Sequence, residues 1–74
     1  NPSQDHCILS IDMPLAAHVA YRLFSASGRN IFERSAFVGA GKQSIIMETK
    51  NLPTGNYFLV VTVNGKSATL PLIR

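Results

Sequence analysis

The chain has 74 residues, room for one small domain, and 46 % of them are hydrophobic against 15 % charged, a balance that excludes intrinsic disorder. Its net charge of +3 comes from dispersed basic residues, Arg22, Arg29, Arg34, Lys42, Lys50, Lys66 and Arg74, without the run or stripe that marks a nucleic-acid footprint. Cys7 is the single cysteine, which rules out an internal disulfide, and Cys7, His6 and His18 lack the spacing of a zinc site, so packing must hold the fold.

In chain order, Asn1-Pro2-Ser3-Gln4-Asp5 is polar and carries a proline, which reads as a linker over residues 1–5. Cys7, Leu9, Ile11 and Met13 alternate with Ile8, Ser10 and Asp12, predicting a strand with the odd-numbered residues inward, ended by Pro14. From His18 to Phe24, Val19, Tyr21 and Leu23 share one face of a second strand, and Ala20, Arg22 and Phe24 share the other. Ser25-Ala26-Ser27-Gly28-Arg29-Asn30 is turn chemistry, with Gly28 the natural place for a positive φ. In the strand Ile31 to Val38, Phe32, Ala36 and Val38 lie with Arg34, while Ile31 and Phe37 lie with Glu33; the pattern leaves open which face is inward. Gly39-Ala40-Gly41-Lys42 reads as a loop, and the strand Gln43 to Glu48 turns Ile45 and Met47 inward.

Leu52-Pro53-Thr54-Gly55 has the proline and glycine positions of a type I turn. Tyr57 to Val63 is almost entirely aromatic or β-branched and predicts a central, largely buried strand. Asn64-Gly65 between two extended runs predicts a type I′ hairpin turn, since both residues tolerate positive φ. On the return run Ala68, Leu70 and Leu72 face inward and Pro71, which lacks an N–H, belongs on an edge. No sustained apolar period near 3.6 is present, and the fold class is all-β: a small antiparallel Ig-like β-sandwich of six to seven strands.

Catalytic chemistry finds little support. A hydrolase would need Cys7 activated by His6 or His18, but neighbours in a strand point to opposite faces, and Cys7 reads as a small buried apolar residue. Asp5, Asp12, Glu33 and Glu48 form no clustered ligand set for calcium. No apolar run reaches the length of a membrane helix, and the N-terminus lacks the sections of a signal peptide, so another part of a longer protein would have to direct a first membrane crossing.

Function enters through a resemblance. Asn1-Pro2 at the start, the strand of Val19, Tyr21, Leu23 and Phe24 followed by Gly28-Arg29, Ala40-Gly41, Leu52-Pro53-Thr54-Gly55-Asn56-Tyr57-Phe58, Gly65-Lys66 and the ending Leu72-Ile73-Arg74 come in an order that resembles the C-terminal sorting domain of the type IX secretion system. Two positions depart: Ser25 stands where the family usually has Asp, and Pro71 where a Lys commonly begins the terminal motif. The resemblance implies a single C-terminal sorting domain over residues 1–74, joined to an N-terminal cargo and passed through the periplasm to an outer-membrane translocon. The cargo would end at the cell surface or be secreted, in some cases after a cell-surface sortase removes the domain.

The resemblance further implies no catalytic residues, no cofactor, no metal and no direct membrane insertion. The residues expected to meet translocon components are Gly65, Lys66, Leu72, Ile73 and Arg74, with Arg74 a charge at the solvent end of an edge strand; Asn1, Pro2, Gly28, Arg29, Leu52, Pro53, Gly55 and Tyr57 carry the family motif. The alternative from another class is an Ig-like accessory or binding module attached to a secreted enzyme or adhesin; Tyr21, Tyr57 and the four phenylalanines could stack on a sugar, but at strand spacing they read rather as core or edge packing.

Overall fold

The computed structural model describes residues 6–74, which form six strands: β1 (His6–Met13), β2 (Ala17–Ser25), β3 (Asn30–Val38), β4 (Gly41–Glu48), β5 (Asn56–Val63) and β6 (Lys66–Ile73). Asn1-Pro2 and the linker expected over residues 1–5 lie outside the described residues. No helix occurs among the described residues, and all strand pairs are antiparallel. One sheet has two strands, β1-β4, and the other has four in the order β3-β2-β5-β6. The result is a small β-sandwich.

The two-residue period decides which side chains meet between the sheets. Leu9 and Met13 of β1 and Met47 of β4 pack against Val19 and Leu23 of β2, Val38 of β3, and Tyr57, Leu59 and Val61 of β5. The register carries the same alternation across the large sheet, for Leu23 sits opposite both Phe32 and Leu59, and Leu59 opposite Leu70. This fixes the face of β3: Phe32, Arg34, Ala36 and Val38 are on the inner side. The guanidinium of Arg34 lies 4.8 Å from the centre of the Phe32 ring, and Phe32 meets Tyr21 edge-on at 6.5 Å. On the outer side, His18 and Phe37 make a similar edge contact at 5.2 Å.

Sheet width then corrects several expectations. Strands lie roughly 4.8 Å apart, so a two-stranded sheet can roof only about half of a four-stranded one. The central strands β2 and β5 are covered, and the flanking β3 and β6 are not. Leu70 points inward as its spacing predicts yet remains 40 % exposed, Ala68 is exposed and Leu72 is half-buried. Cys7, expected to be buried, is half-buried because it lies near the open end of β1; partial burial still raises its thiol pKa above the ordinary value of 9.0. The thiolate fraction, and with it the rate of reaction with thiol reagents, is therefore lowered in the native state but not abolished.

The turns follow their chemistry with one exception. Asn64 and Gly65 have φ of 52° and 79°, the pair of positive values that a type I′ turn requires, and they close β5 onto β6 with Val63 opposite Lys66. Counting from that closing pair, hydrogen-bonded and open pairs alternate, so Pro71 falls at an open pair opposite Phe58 and its missing N–H would have faced outward from the edge. The exception is Leu52–Gly55. There the hydrogen-bonded turn runs from Thr49 to Leu52, whose N–H donates to the Thr49 carbonyl at 3.0 Å, while Gly55 donates to Arg74. Gly55 has been recruited into the sheet ladder and is not left to close a local turn. The strand β4 also begins at Gly41, earlier than the loop reading of Gly39-Ala40-Gly41-Lys42 allows.

Gly65 gives a direct test of the hairpin. An added Cβ at Gly65 would meet nothing within 4 Å, so Gly65→Ala carries only the conformational cost of φ +79°. That cost is about 1 kcal/mol and should lower the melting temperature by about 4–8 °C for a domain of this size. A thermal melt superimposable on that of the wild type would show that the turn does not limit stability.

Candidate recognition surface

The register brings separated motif segments to one end of the large sheet. Ser25 lies beside Tyr57, and Tyr57 beside Leu72, so the turn from β2 to β3, the segment 49–55 and the end of β6 share that end. Gly28 holds φ +90° in the first of these turns, its N–H donating to the Ser25 carbonyl at 2.9 Å. The Ser25 N–H reaches the Arg29 carbonyl at 2.9 Å, and the Arg29 N–H donates to Ser25 Oγ at 3.2 Å. A hydroxyl thus satisfies the backbone as an aspartate oxygen would, which explains why Ser25 is tolerated where Asp is usual.

Tyr57 explains the Leu-Pro-x-Gly-x-Tyr pattern. Its ring is buried in the core and its hydroxyl donates to the carbonyl of Pro53 at 2.5 Å. This bond, running a few residues back along the chain, ties segment 49–55 to β5 in the manner of the tyrosine corner of Ig-like sandwiches. Leu52 packs against the core from the same segment, and Gly55 and Arg74 exchange two main-chain hydrogen bonds, at 3.0 and 3.3 Å, that extend the β5-β6 ladder by one pair.

Arg74 is not the free charge that its position suggests. It continues the inward side of β6, and its Nη2 donates to the Lys50 carbonyl at 3.1 Å, bracing segment 49–55 from the far side. Its Nε is buried and has no hydrogen-bond partner among the described residues. The side chain therefore contributes to the architecture, and substituting it would disturb the loop together with any recognition. Ile73, one residue earlier, points outward and is 73 % exposed. Beside it Phe58 and Pro71 are exposed on the outer face, Phe24 is half-buried, and the Arg22 guanidinium stands 6.0 Å from the Phe24 ring. The sequence reading missed Phe58 as a surface residue because the run Tyr57 to Val61 has no polar position to mark the outward face; its even-numbered positions nonetheless face out by the strand period.

The expected recognition residues do not form one patch. Leu72, Ile73 and Arg74 lie at the motif-bearing end, whereas Gly65 and exposed Lys66 lie at the other end of β6, about 20 Å away at the rise of a β-strand. Of the motif residues, Gly28, Arg29, Leu52, Pro53, Gly55 and Tyr57 converge on the first end. Among the described residues no group of three His, Cys, Asp or Glu side chains is arranged to hold a metal ion.

Comparison with known proteins supplies a family. No curated protein and no solved structure matches the chain. The family model described as the secretion system C-terminal sorting domain matches residues 1–73, which takes in all six strands and the segments between them. The chain belongs to the C-terminal sorting domain family of type IX secretion.

Proposed function

We propose that this domain carries an N-terminally attached cargo to the type IX translocon and that the translocon reads the motif-bearing end of the large sheet. Membership of the family makes the chain a C-terminal secretion sorting signal, and the family is generally non-catalytic. The finer reading covers a single domain over residues 1–74 that acts without enzyme activity and delivers its cargo through the periplasm to the cell surface or the medium, with a cell-surface sortase as a second partner. The observation that carries it is the convergence of Gly28-Arg29, Leu52 to Tyr57 and Leu72 to Arg74 on one end, next to the outward side chains of Phe58, Pro71 and Ile73. Tyr57, Gly55 and Arg74 build that end, and Ile73 is its exposed apolar element.

A reporter with its own signal peptide, fused ahead of this chain in a host with the type IX pathway, should reach the cell surface. Ile73→Asp should leave stability within about 0.5 kcal/mol, as surface substitutions do, and reduce surface delivery severalfold. Lys66→Glu, at the opposite end, should leave delivery unchanged. Periplasmic retention of an intact, folded wild-type fusion would refute the sorting function. Wild-type delivery of the folded Ile73→Asp fusion would instead move the recognised surface away from this end.

A further inference from the structure

The two-stranded sheet has two open edges among the described residues, for β1 pairs only with β4 and β4 only with β1. Unpaired N–H and C=O groups on such an edge accept another strand, and natural edges are blunted by prolines, bulges or mid-strand charges. On the large sheet β6 has Pro71 and β3 has Glu33 and Arg34, whereas Ser44-Ile45-Ile46-Met47 of β4 and Ile8-Leu9-Ser10-Ile11 of β1 carry neither proline nor charge. What sets β4 apart is the space beside it. A cleft of about 490 Å³ lies between Met47 and Glu48 of β4 and Tyr21, Phe32 and Arg34 on the inner side of the large sheet, and Leu52 also lines it. That volume is in the ordinary range of a ligand-binding cleft. β3 and β4 belong to different sheets and are joined through Gly39-Ala40, so the cleft occupies the halves of both strands farthest from that crossing.

The shape of the cleft selects its occupant. A second copy cannot bring its own β4 alongside with inner faces together, because β3 projects beyond β4 and would run into the other copy's large sheet. A single extended segment meets no such obstacle: laid beside β4 at the strand spacing of roughly 4.8 Å, it comes to rest above β3. Its main chain takes the outward N–H and C=O groups of β4, which a small molecule would leave unpaired, and every second side chain points on to Tyr21 and Phe32. The floor of the cleft holds one charge. Arg34 lies over the Phe32 ring at 4.8 Å, its Nη1 donates to the Glu33 carbonyl at 3.0 Å, and it has no carboxylate partner among the described residues. We propose that the cleft receives a short extended segment of the translocon, added as a third strand beside β4, with apolar side chains turned to Tyr21 and Phe32 and a carboxylate opposite Arg34. In such strand addition main-chain bonds supply affinity and side-chain pockets supply specificity. The inference rests on the sorting function proposed above and gives the same partner a second contact, next to the motif-bearing end, since Leu52 belongs to both.

The test uses the reporter fusion in a host with the type IX pathway. Ile46→Lys puts a charge in the middle of the β4 edge, where Ile46 is 65 % exposed, and should reduce surface delivery severalfold. Ile46→Thr removes the same aliphatic side chain but keeps a strand-forming residue, and should lose much less. Ile8→Lys makes the lysine change directly across the sheet, on the β1 edge where Ile8 is 57 % exposed, and should be delivered as the wild type is. Arg34→Glu should reduce delivery severalfold, and Arg34→Lys should restore most of it. Limited proteolysis of each fusion checks that the domain remains folded. Equal losses from Ile46→Lys and Ile8→Lys, equal losses from Ile46→Lys and Ile46→Thr, or normal delivery of folded Ile46→Lys or Arg34→Glu would overturn the proposal. In that last case a fusion that still requires Ile73 leaves the sorting function standing, whereas periplasmic retention of the folded wild-type fusion refutes that function and this contact with it.

Discussion

Leu23→Ala should nearly unfold the domain. Leu23 is fully buried at the centre of the inner face of β2, in contact with the core from both sheets. Truncating a buried leucine to alanine costs about 2–5 kcal/mol, since the lost transfer energy adds to the cavity left behind. A chain of 74 residues is expected to have about 4–11 kcal/mol in all, at 0.05–0.15 kcal/mol per residue. The urea midpoint should therefore fall by about 2 M or more, given slopes near 1 kcal/mol/M for small proteins. Leu15→Ala, at a side chain 74 % exposed between β1 and β2, is the matched control and should change stability by no more than about 0.5 kcal/mol. Equal effects of the two substitutions would mean that the two sheets do not close on Leu23 in solution.

The second large effect is expected at Tyr57. Tyr57→Ala removes a buried ring and should cost about 3–5 kcal/mol. Tyr57→Phe keeps the ring and removes only the donor to the Pro53 carbonyl, at about 1–2 kcal/mol. The two variants separate packing from tethering. If the hydroxyl holds segment 49–55 onto β5, the phenylalanine variant should show faster amide hydrogen exchange at Leu52, whose N–H closes the Thr49 turn, and at Gly55, which bonds to Arg74. Amides deep in β2 and β5 should be affected only through the global loss of stability. Unchanged exchange at Leu52 and Gly55 would assign the loop's order to Arg74 and the ladder alone.

These expectations rest on unequal contributions from sequence and structure. Local chemistry determined the six strands and the faces of all but β3, because a side-chain period of two is a property of each strand by itself; Val19 and Leu23 face the core, and His18 and Arg22 face away, whatever lies opposite, whereas β3 took its face from its register with β2. Local chemistry also determined the Asn64-Gly65 and Gly28 turns, whose positive φ values few other residues adopt without strain. Family membership was legible in short motifs spread along the chain. Their meeting at one end of the sheet was not, for it depends on β2 pairing with β5, some 30 residues further along.

Tertiary structure alone decided how much each face is buried. Leu70 and Leu9 read alike in their strands, yet Leu9 is buried and Leu70 is open, because the second sheet has two strands where the first has four. The same holds for Arg74, whose sequence context suggests a solvated charge and whose guanidinium is fixed on the Lys50 carbonyl 24 residues away in sequence. Alternation states the direction of a side chain, but exposure depends on which element lies over it, and that is set by sheet order, sheet width and loop path, none of which a single strand encodes.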